Sequence, residues 1–582
     1  MSQKFYRVVL ILSLFALQAI HLDSDPSPLK GTEDYGDEGL WNHNARCKVL
    51  FGAFVPDQLA LGVLGAPLYT AAQWMVFSLC GVSFISARIV SLVSLWGVML
   101  MLYALMARRF SPGVALLAAA MLGLSHEMLL FAKWATPIMP EMLFLTAILF
   151  FWERGRTGNR WWMAASGACL VGAALAKMTI FAFFPSLAMF LLGARFLRKD
   201  VDNARLGIFL ATAAIGGCIL ALVLLPYREQ IQFLSRNLVG SNWMAEPWTS
   251  GRLLWALPHI IFVTPLTFPG GVVLTMLASV WLLDRLLCAM RQGALSAIRE
   301  MSTTEFYSFC WLAGVLGCLA FSPYRPERRF AMLIIPLVAL AVSFAARTLE
   351  RRTSTGDSSS IGTIMALPGG WRLLLGIAFS LLWFRYACKA LGIIEPWLAR
   401  DGISVPWAAR VAALAACISV AAIFFILRKP RLTAGILVGG FLAISLLLDG
   451  IWYATATYTI RDQSRALRGG ERGRYVTGHW CSLLALENDA MPVVCGWDAE
   501  TFWGTKTTLN TWFAEQSDRL SFTVILLDAM DGRVLEKGAG SPQCDLDRFR
   551  PGRVKHLGGI RLCPSTFGGT SFRVRGDLYS VR

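Results

Sequence analysis

The sequence contains few charged residues for its length. Only 16% of its 582 residues are Asp, Glu, Lys or Arg, and 56% are hydrophobic, whereas soluble domains average about 25% charged residues. Apolar runs of roughly 18 residues or more, the length of a membrane span, recur along the chain. The composition therefore excludes an ordinary soluble protein and predicts a polytopic membrane protein.

The apolar segments also lack the strict alternation of apolar and polar residues that marks the strands of a membrane β-barrel. Backbone groups in lipid must be hydrogen-bonded within their own segment, so these segments are predicted to be α-helices. At roughly 20 residues per crossing, we predict an all-α membrane domain of about thirteen transmembrane helices. The predicted spans are Phe5–Leu22, Ser86–Ala107, Pro112–Leu130, Ile138–Trp152, Trp161–Ala176, Ile180–Phe196, Leu206–Pro226, Phe262–Leu283, Phe306–Phe321, Phe330–Ala346, Trp371–Ala390, Trp407–Leu427 and Leu432–Tyr453.

A nucleic-acid-binding motif is absent, although the formal net charge is +17. Lys and Arg collect instead in alternate short loops, as at Arg108-Arg109 and in RKPR from Arg428. This distribution follows the positive-inside rule and predicts a cytoplasmic amino terminus and an extracytoplasmic carboxy terminus. No convincing small-x-small cleavage site follows the first segment, so we expect it to remain as an anchor in the cell (inner) membrane.

Three segments predicted to lie outside are long: residues 23–73, residues 227–261 and the tail. The tail, residues 454–582, is polar and Gly-rich, and it contains the strand-like runs MPVVCGW, FTVILLDA and SFRVRGDLYSVR. Short apolar runs bounded by turn residues favour strands. We therefore predict a transmembrane domain over residues 1–453 and a small extracytoplasmic α/β domain over residues 454–582.

The tail also lacks a C-x-x-C pair and any Cys/His ligand spacing, so no zinc site is predicted there. An even number of cysteines outside the cytoplasm permits one or two disulfides, and four cysteines allow three pairings. The four cysteines of the tail are Cys481, Cys495, Cys544 and Cys563.

Ionisable residues near the predicted outer ends of the spans come from many helices but share one level of the membrane. The first outside loop adds Asp37 and Glu38 at that level, followed by His43, Arg46 and Lys48. Charges beside or within spans are costly, so their placement is informative. The residues at the span ends are Arg88, Glu127, Lys133, Glu141, Lys177, Arg325, Glu327, Arg328, Arg329 and Asp449.

Two of these positions favour a functional site. Glu141 stands inside a predicted span behind two prolines, where a carboxylate needs a cation, a metal or water. The stretch SPYRPERRFAM concentrates arginines at a helix mouth, and Arg binds phosphate oxygens through two hydrogen bonds. Taken singly, Arg88 and Lys177 could equally extend toward the interface, and the arginines could belong to an exposed loop.

Together these residues predict a cavity that opens outward, acidic on one side and basic on the other. One chemistry that needs both is the transfer of a group from a lipid phosphate. Basic residues or a divalent metal stabilise the departing phosphate, and a carboxylate takes the proton of an incoming hydroxyl.

The sequence resembles a known group, the GT-C superfamily of membrane glycosyltransferases that use polyprenyl-phosphate sugars. It is most similar to the bacterial branch related to protein O-mannosyltransferases and lipid A aminoarabinose transferases. The stretches that carry the resemblance are YGDEGLWNHNARCKVLFGAFVPD, APLYTAAQWMVFSLCGVSFISARIVS, AKWATPIMPEMLFL, GAALAKMT and YRPERRFAMLIIPL.

The resemblance implies a catalytic carboxylate at Asp37, with Glu38 beside it. It also implies a second acidic residue at Glu141, which could bind a divalent metal ion (Mg, Mn or Zn). The donor phosphate would contact Lys177 and a group of arginines, and His43 and Arg46 would support the loop or the acceptor. The arginines are Arg325, Arg328 and Arg329.

One departure from the family bears on the phosphate site. Many relatives have Lys or His just before the P-L-Y run, and here Gly65 and Ala66 precede Pro67. The arginines are expected to replace that contact.

We therefore predict a glycosyltransferase that moves a hexose or pentose from a polyprenyl phosphate to an acceptor outside the membrane, with inversion. The acceptor, whether lipid, glycan or protein, stays open, and no nucleic-acid partner is expected. Two other classes also remain: a transporter or lipid flippase of the cell envelope, and a non-catalytic assembly factor. A transporter predicts charges on both sides of the midplane and an internal repeat, neither of which is apparent.

Overall fold

Helices account for most of the chain that the structure describes. The predicted spans Trp371–Ala390 and Trp407–Leu427 lie outside the described residues. The described parts of the other eleven are mostly helical. The computed structural model describes residues 3–26, 36–52, 61–228, 271–321, 327–350, 430–466, 475–478, 481–493, 522–527, 554–561, 565–567, 570–572 and 575–581.

The helices are numbered here in chain order within those residues. Short 3₁₀ turns cover Met178–Phe183 and Leu225–Tyr227, and a π-helical turn covers Gly193–Arg198. The α-helices are α1 Gln3–Ala19, α2 Gly36–Phe51, α3 Leu61–Gly65, α4 Pro67–Cys80, α5 Phe84–Ala107, α6 Pro112–Gly123, α7 His126–Ala132, α8 Ile138–Gly155, α9 Trp161–Ala176, α10 Phe184–Leu192, α11 Asn203–Leu224, α12 Gly271–Gln292, α13 Ala294–Glu300, α14 Thr303–Phe321, α15 Glu327–Glu350, α16 Pro430–Ala454, α17 Thr459–Ala466 and α18 Cys481–Leu484.

Few of these helices are both long and apolar enough to cross a membrane unaided. Within the described residues they are Phe84–Ala107, Asn203–Tyr227 and Gly435–Ala466, and α6 with α7 would form a fourth span as a bent pair. Several predicted spans are shorter or irregular; Ile180–Phe196, for example, begins in the 3₁₀ turn and ends in the π turn. The count of about thirteen crossings stays a prediction.

The predicted span Pro112–Leu130 is not continuous. It breaks after Gly123, and the two helices meet at 63°. Ser125 lies at the break and its hydroxyl donates to Glu127 Oε2 at 2.8 Å. Polar side chains that compete with the backbone favour such interruptions, which the hydropathy of the segment does not reveal.

Aromatic side chains form the contact between α8, α10 and α14. Phe190 lies edge-on to Trp152, with ring centroids 5.0 Å apart, and to Tyr307 at 4.9 Å. The buried Tyr307 hydroxyl donates to Leu145 O at 2.8 Å. These edge-to-face contacts hold α8, the helix that carries Glu141, against α10 and α14.

The tail contains a mixed sheet in which the strands run in the order β2-β1-β3-β7-β4. Strand β1 pairs in parallel with β2 and β3, and β7 pairs antiparallel with β3 and β4. The apolar run of β3, FTVILL, suits a central strand covered on both faces. The strands are β1 Tyr475–Gly478, β2 Met491–Val493, β3 Phe522–Leu527, β4 Val554–Arg561, β5 Ser565–Phe567, β6 Thr570–Phe572 and β7 Arg575–Val581.

Candidate functional site

The first outside loop contains helix α2, which carries the predicted acidic pair. Asp37 and Glu38 stand in its first turn and Lys48 in its last turn, where each charge is favourable to the helix dipole. Lys48 Nζ donates to Gly52 O at 2.9 Å. Gly52 has φ = +80°, a conformation that glycine adopts readily. The local sequence thus sets both ends of the helix.

Glu38 forms a buried ion pair with Arg88 of α5. Arg88 Nε donates to Glu38 Oε1 at 2.6 Å and Nη2 donates to Oε2 at 2.8 Å. Arg88 Nη1 donates to Leu22 O and Ser24 O, just beyond α1. One guanidinium therefore joins α5 to α2 and to the end of α1, and a two-bond carboxylate pair of this kind has a defined geometry.

Helix α2 also contacts the turn that leads into α8. Glu38 Oε1 accepts from Ala135 N at 3.1 Å, and Asn42 Nδ2 donates to Ala135 O at 2.8 Å. Ser91 holds the same turn from α5, since its hydroxyl donates to Trp134 O at 2.9 Å. The first acidic loop and the segment before the second acidic motif are therefore in direct contact.

Glu141 stands in the first turn of α8 and is fully buried. Lys177, the residue that ends α9, places its Nζ 3.9 Å from Glu141 Oε2. The sequence assigned Glu141 to the acidic side of a cavity and Lys177 to the basic side. In the structure the two are neighbours, so the lysine supplies positive charge beside the buried carboxylate.

His43 and Arg46 lie farther along α2, beyond the first turn that contacts Arg88. The buried His43 ring places Nε2 3.6 Å from Cys47 Sγ. Arg46 Nη2 donates to Asn488 O and Ala490 O of the tail, each at 2.6 Å. Burial lowers the pKa of Arg46 to about 10. Both side chains thus make contacts that support the loop.

The predicted arginine group falls largely beyond what can be described. Arg325 lies outside the described residues. Arg328 and Arg329 lie in the first turn of α15, but the structure describes only their backbone. Cys495, Cys544 and Cys563 also lie outside the described residues. The phosphate contacts of these arginines and the pairing of the tail cysteines stay predictions.

A metal ion at Glu141 also stays a prediction. In the described part of the chain, no group of three or more His, Cys, Asp or Glu could hold a metal ion. The charge beside Glu141 in these residues is that of Lys177.

A buried His–Asp contact lies outside the predicted site. His126 Nδ1 of α7 is 2.7 Å from Asp449 Oδ1 of α16, and the Trp452 ring meets the His126 ring at a centroid distance of 5.8 Å. Asp449 was among the ionisable residues at the predicted span ends. Its partner was not, because a contact across 323 residues leaves no local signal.

Comparisons with known proteins bear on the family and the fold of the chain. Residues 65–224 match the family model described as dolichyl-phosphate-mannose-protein mannosyltransferase. This range includes Arg88, Glu141 and Lys177 but not α2. No curated protein sequence matches the chain.

Two solved structures are similar over nearly the whole chain. They are the crystal structures of ArnT from Cupriavidus metallidurans in the apo state and bound to undecaprenyl phosphate. Each has a TM-score of 0.56 and 14% sequence identity, and the match covers 99% of this chain and 98% of the other. The chain thus shares the fold of these two structures, and residues 65–224 match the mannosyltransferase family model. Both findings confirm the predicted resemblance to GT-C glycosyltransferases.

Proposed function

We propose that the chain is a membrane glycosyltransferase that transfers a sugar from a polyprenyl phosphate to an acceptor on the extracytoplasmic side. The family match and the fold shared with a protein crystallised with undecaprenyl phosphate support this proposal. The observation that carries it is the junction of α2, α5 and the turn before α8. There, a buried ion pair fixes α2, whose first turn carries Asp37 and whose Glu38 contacts Ala135 in the second acidic motif.

The two acidic residues of α2 have different roles in this proposal. Both oxygens of Glu38 accept from Arg88, so Glu38 serves to position the helix. Asp37 is outside that pair and only partly buried. We therefore assign the base to Asp37 and support to Glu38, which the resemblance had placed beside it in the catalytic pair.

The reaction is a direct displacement at the anomeric carbon. The acceptor hydroxyl attacks that carbon while the bond to the phosphate oxygen breaks, and the lipid phosphate leaves with the bonding electrons. Asp37 takes the hydroxyl proton, a contribution of about 10²–10⁴-fold for a positioned base. Positive charge at Lys177, with Arg325, Arg328 and Arg329, stabilises the departing phosphate, and Glu141 holds Lys177 in place.

The test uses the full-length chain in lipid nanodiscs. The donors are a panel of undecaprenyl-phosphate-linked hexoses and pentoses, the acceptor is a cell-envelope extract, and release of undecaprenyl phosphate is measured by mass spectrometry. We expect release by the wild type and a loss of about 10²-fold or more in Asp37→Asn, since the amide cannot accept the proton. Asp462→Asn, at an exposed acid of the tail, is the matched control.

Full release by Asp37→Asn would remove Asp37 from the mechanism. No release by the wild type from any donor would contradict the proposed function. Movement of the intact donor across a vesicle membrane, without release of the sugar, would indicate the transporter class instead.

A further inference from the structure

One segment of the tail lies against the helix that carries Asp37. We call residues 481–490, which comprise α18 and the turn after it, the docking turn. Its backbone approaches Gly39 so closely that a Cβ built there would lie 2.2 Å from Leu483 N and 2.3 Å from Ser482 C. Backbone atoms cannot move aside as a flexible side chain can, so only glycine permits this approach.

Arg46 makes the second contact between α2 and the docking turn. Its Nη2 donates to the carbonyl oxygens of Asn488 and Ala490, and the residue is 1% exposed. Gly39 and Arg46 are seven residues apart, about two helical turns, so they lie on the same face of α2. The contact therefore extends along the helix rather than touching it at one point.

Glu487 connects the same turn to α5. Its Oε1 accepts from Phe84 N, the first residue of α5, at 2.8 Å. Its Oε2 accepts from Arg465 of α17, and its own backbone N–H donates to Ser464 Oγ at 2.9 Å. A carboxylate at a helix amino terminus satisfies a backbone donor that the helix leaves unpaired. The docking turn thus contacts both α2, which carries Glu38, and α5, which carries Arg88.

The contacts of α2 fall on two faces. Glu38 and Asn42 face the membrane helices, and Gly39 and Arg46 face the tail. At about 100° per residue, Asp37 lies roughly 100° from Glu38 and roughly 160° from Gly39 around the helix. The two sets of contacts therefore fix the rotation and the position of the helix that carries Asp37.

We propose that the docking turn is a positioning element of the catalytic site, with Arg46 and Glu487 as positioning residues that act through α2 and α5 on Asp37. The inference rests on the proposed function for its catalytic part. Its structural part, that the tail fixes α2, stands on the contacts alone. This proposal gives the carboxy-terminal domain a role in the transfer reaction that requires no contact with the donor.

The test compares Arg46→Met, which keeps the length but removes the donors, with Arg46→Lys, which restores a donor. Glu487→Gln is the milder variant, and Gly217→Ala, at a helical glycine with no atom within 4 Å of the added methyl, is the control. Two quantities are measured in the full-length chain in nanodiscs. They are kcat and KM with the undecaprenyl-phosphate-linked sugar panel, and hydrogen exchange of peptides from residues 36–51 and 138–155.

For Arg46→Met we expect faster exchange in residues 36–51, no change in residues 138–155, and kcat lower by about tenfold or more, since small displacements of a catalytic group are costly. KM should stay within about twofold, because a displaced Asp37 weakens stabilisation of the transition state and leaves donor binding unchanged. Arg46→Lys should recover part of kcat, and Glu487→Gln should show the same pattern more weakly.

Unchanged exchange in residues 36–51 would overturn the proposal, as would faster exchange with an unchanged kcat. Asp37→Asn separates the two proposals, because it should lower transfer by about 10²-fold or more while changing exchange in residues 36–51 less than Arg46→Met does. If the wild type transfers no sugar, the proposed function and the catalytic role of the turn both fail, and the exchange comparison still decides whether the turn fixes α2.

Discussion

At the scale of single residues, Arg88 lies about one turn into the apolar helix α5, where its guanidinium contacts two other segments. It donates to Glu38, to Leu22 O and to Ser24 O, and it is 2% exposed. From the sequence alone, Arg88 could have extended to the lipid interface. A buried arginine needs this full set of acceptors, since each unsatisfied donor would cost free energy.

Glu38→Gln is expected to destabilise the protein because it leaves the Arg88 charge buried without its counter-ion. Breaking one side of a buried pair costs about 3–5 kcal/mol. Thermal unfolding of the purified chain should show a clear fall in Tm, with a smaller fall in the Glu38→Gln/Arg88→Gln double variant. Asp37→Asn, which leaves the Glu38–Arg88 pair intact, should lower Tm less than Glu38→Gln does. Equal Tm values for Glu38→Gln and wild type would show that the pair contributes nothing to stability.

At the scale of helices, α7 and α16 are joined by the His126–Asp449 pair. Lys133, just after α7, adds cation–π contacts with Trp452 and Tyr453, at 4.7 and 4.2 Å from the ring centroids. Asp25 extends the connection, since it accepts from the backbone N–H groups of Thr459 and Ile460 at the start of α17. These contacts fix the last described membrane helix and the entry to the tail.

Asp449→Ala should therefore loosen α16, because it leaves a polar His126 ring buried without this acceptor. We expect a loss of about 1–3 kcal/mol, the cost of an unsatisfied buried polar group, measured as a lower Tm. Leu447→Ala on the same helix is the control, since Leu447 is 62% exposed. A larger fall in Leu447→Ala than in Asp449→Ala would contradict this account.

The packing of α9 against α11 depends on a small residue. A Cβ on Gly167 would lie 2.5 Å from Phe209 O, whereas one on Gly217 would meet no atom within 4 Å. Gly167→Ala should destabilise by about 1–3 kcal/mol through overpacking. Gly217→Ala should be neutral or stabilising by up to about 1 kcal/mol, from helix propensity. Thermal unfolding of both variants tests the pair, and an equal Tm would show that the helices can separate without cost.

At the scale of the whole molecule, the orientation in the membrane is a prediction from charge. Each short loop predicted to lie inside carries at least two Lys or Arg, which predicts a cytoplasmic amino terminus and an external tail. Alkaline phosphatase fused after Arg582 should be active, since it folds only outside the cytoplasm. A fusion after Arg198 should be inactive. The opposite pattern would reverse the topology and place Asp37 on the wrong side for the proposed acceptor.

Helix positions were largely predictable because apolar runs need only local information. The predicted span Trp161–Ala176 has the same bounds as α9. The break between α6 and α7 was not predictable, because His126 and Glu127 are accommodated by tertiary partners such as Asp449. The candidate acids Asp37 and Glu141 were identified from their position beside spans. Which acid is the proposed base and which acids are buried in ion pairs depends on residues distant in sequence, such as Arg88 and Lys177.

The sequence by itself determined the membrane class, the helical segments and the level at which charges collect, because hydropathy and charge are local properties. Tertiary structure alone decided which of those charges face one another. It paired Glu38 with Arg88 and Glu141 with Lys177, and it placed Arg46 against the tail. Such contacts depend on where helices distant in sequence pack, and no periodicity within one segment encodes that position.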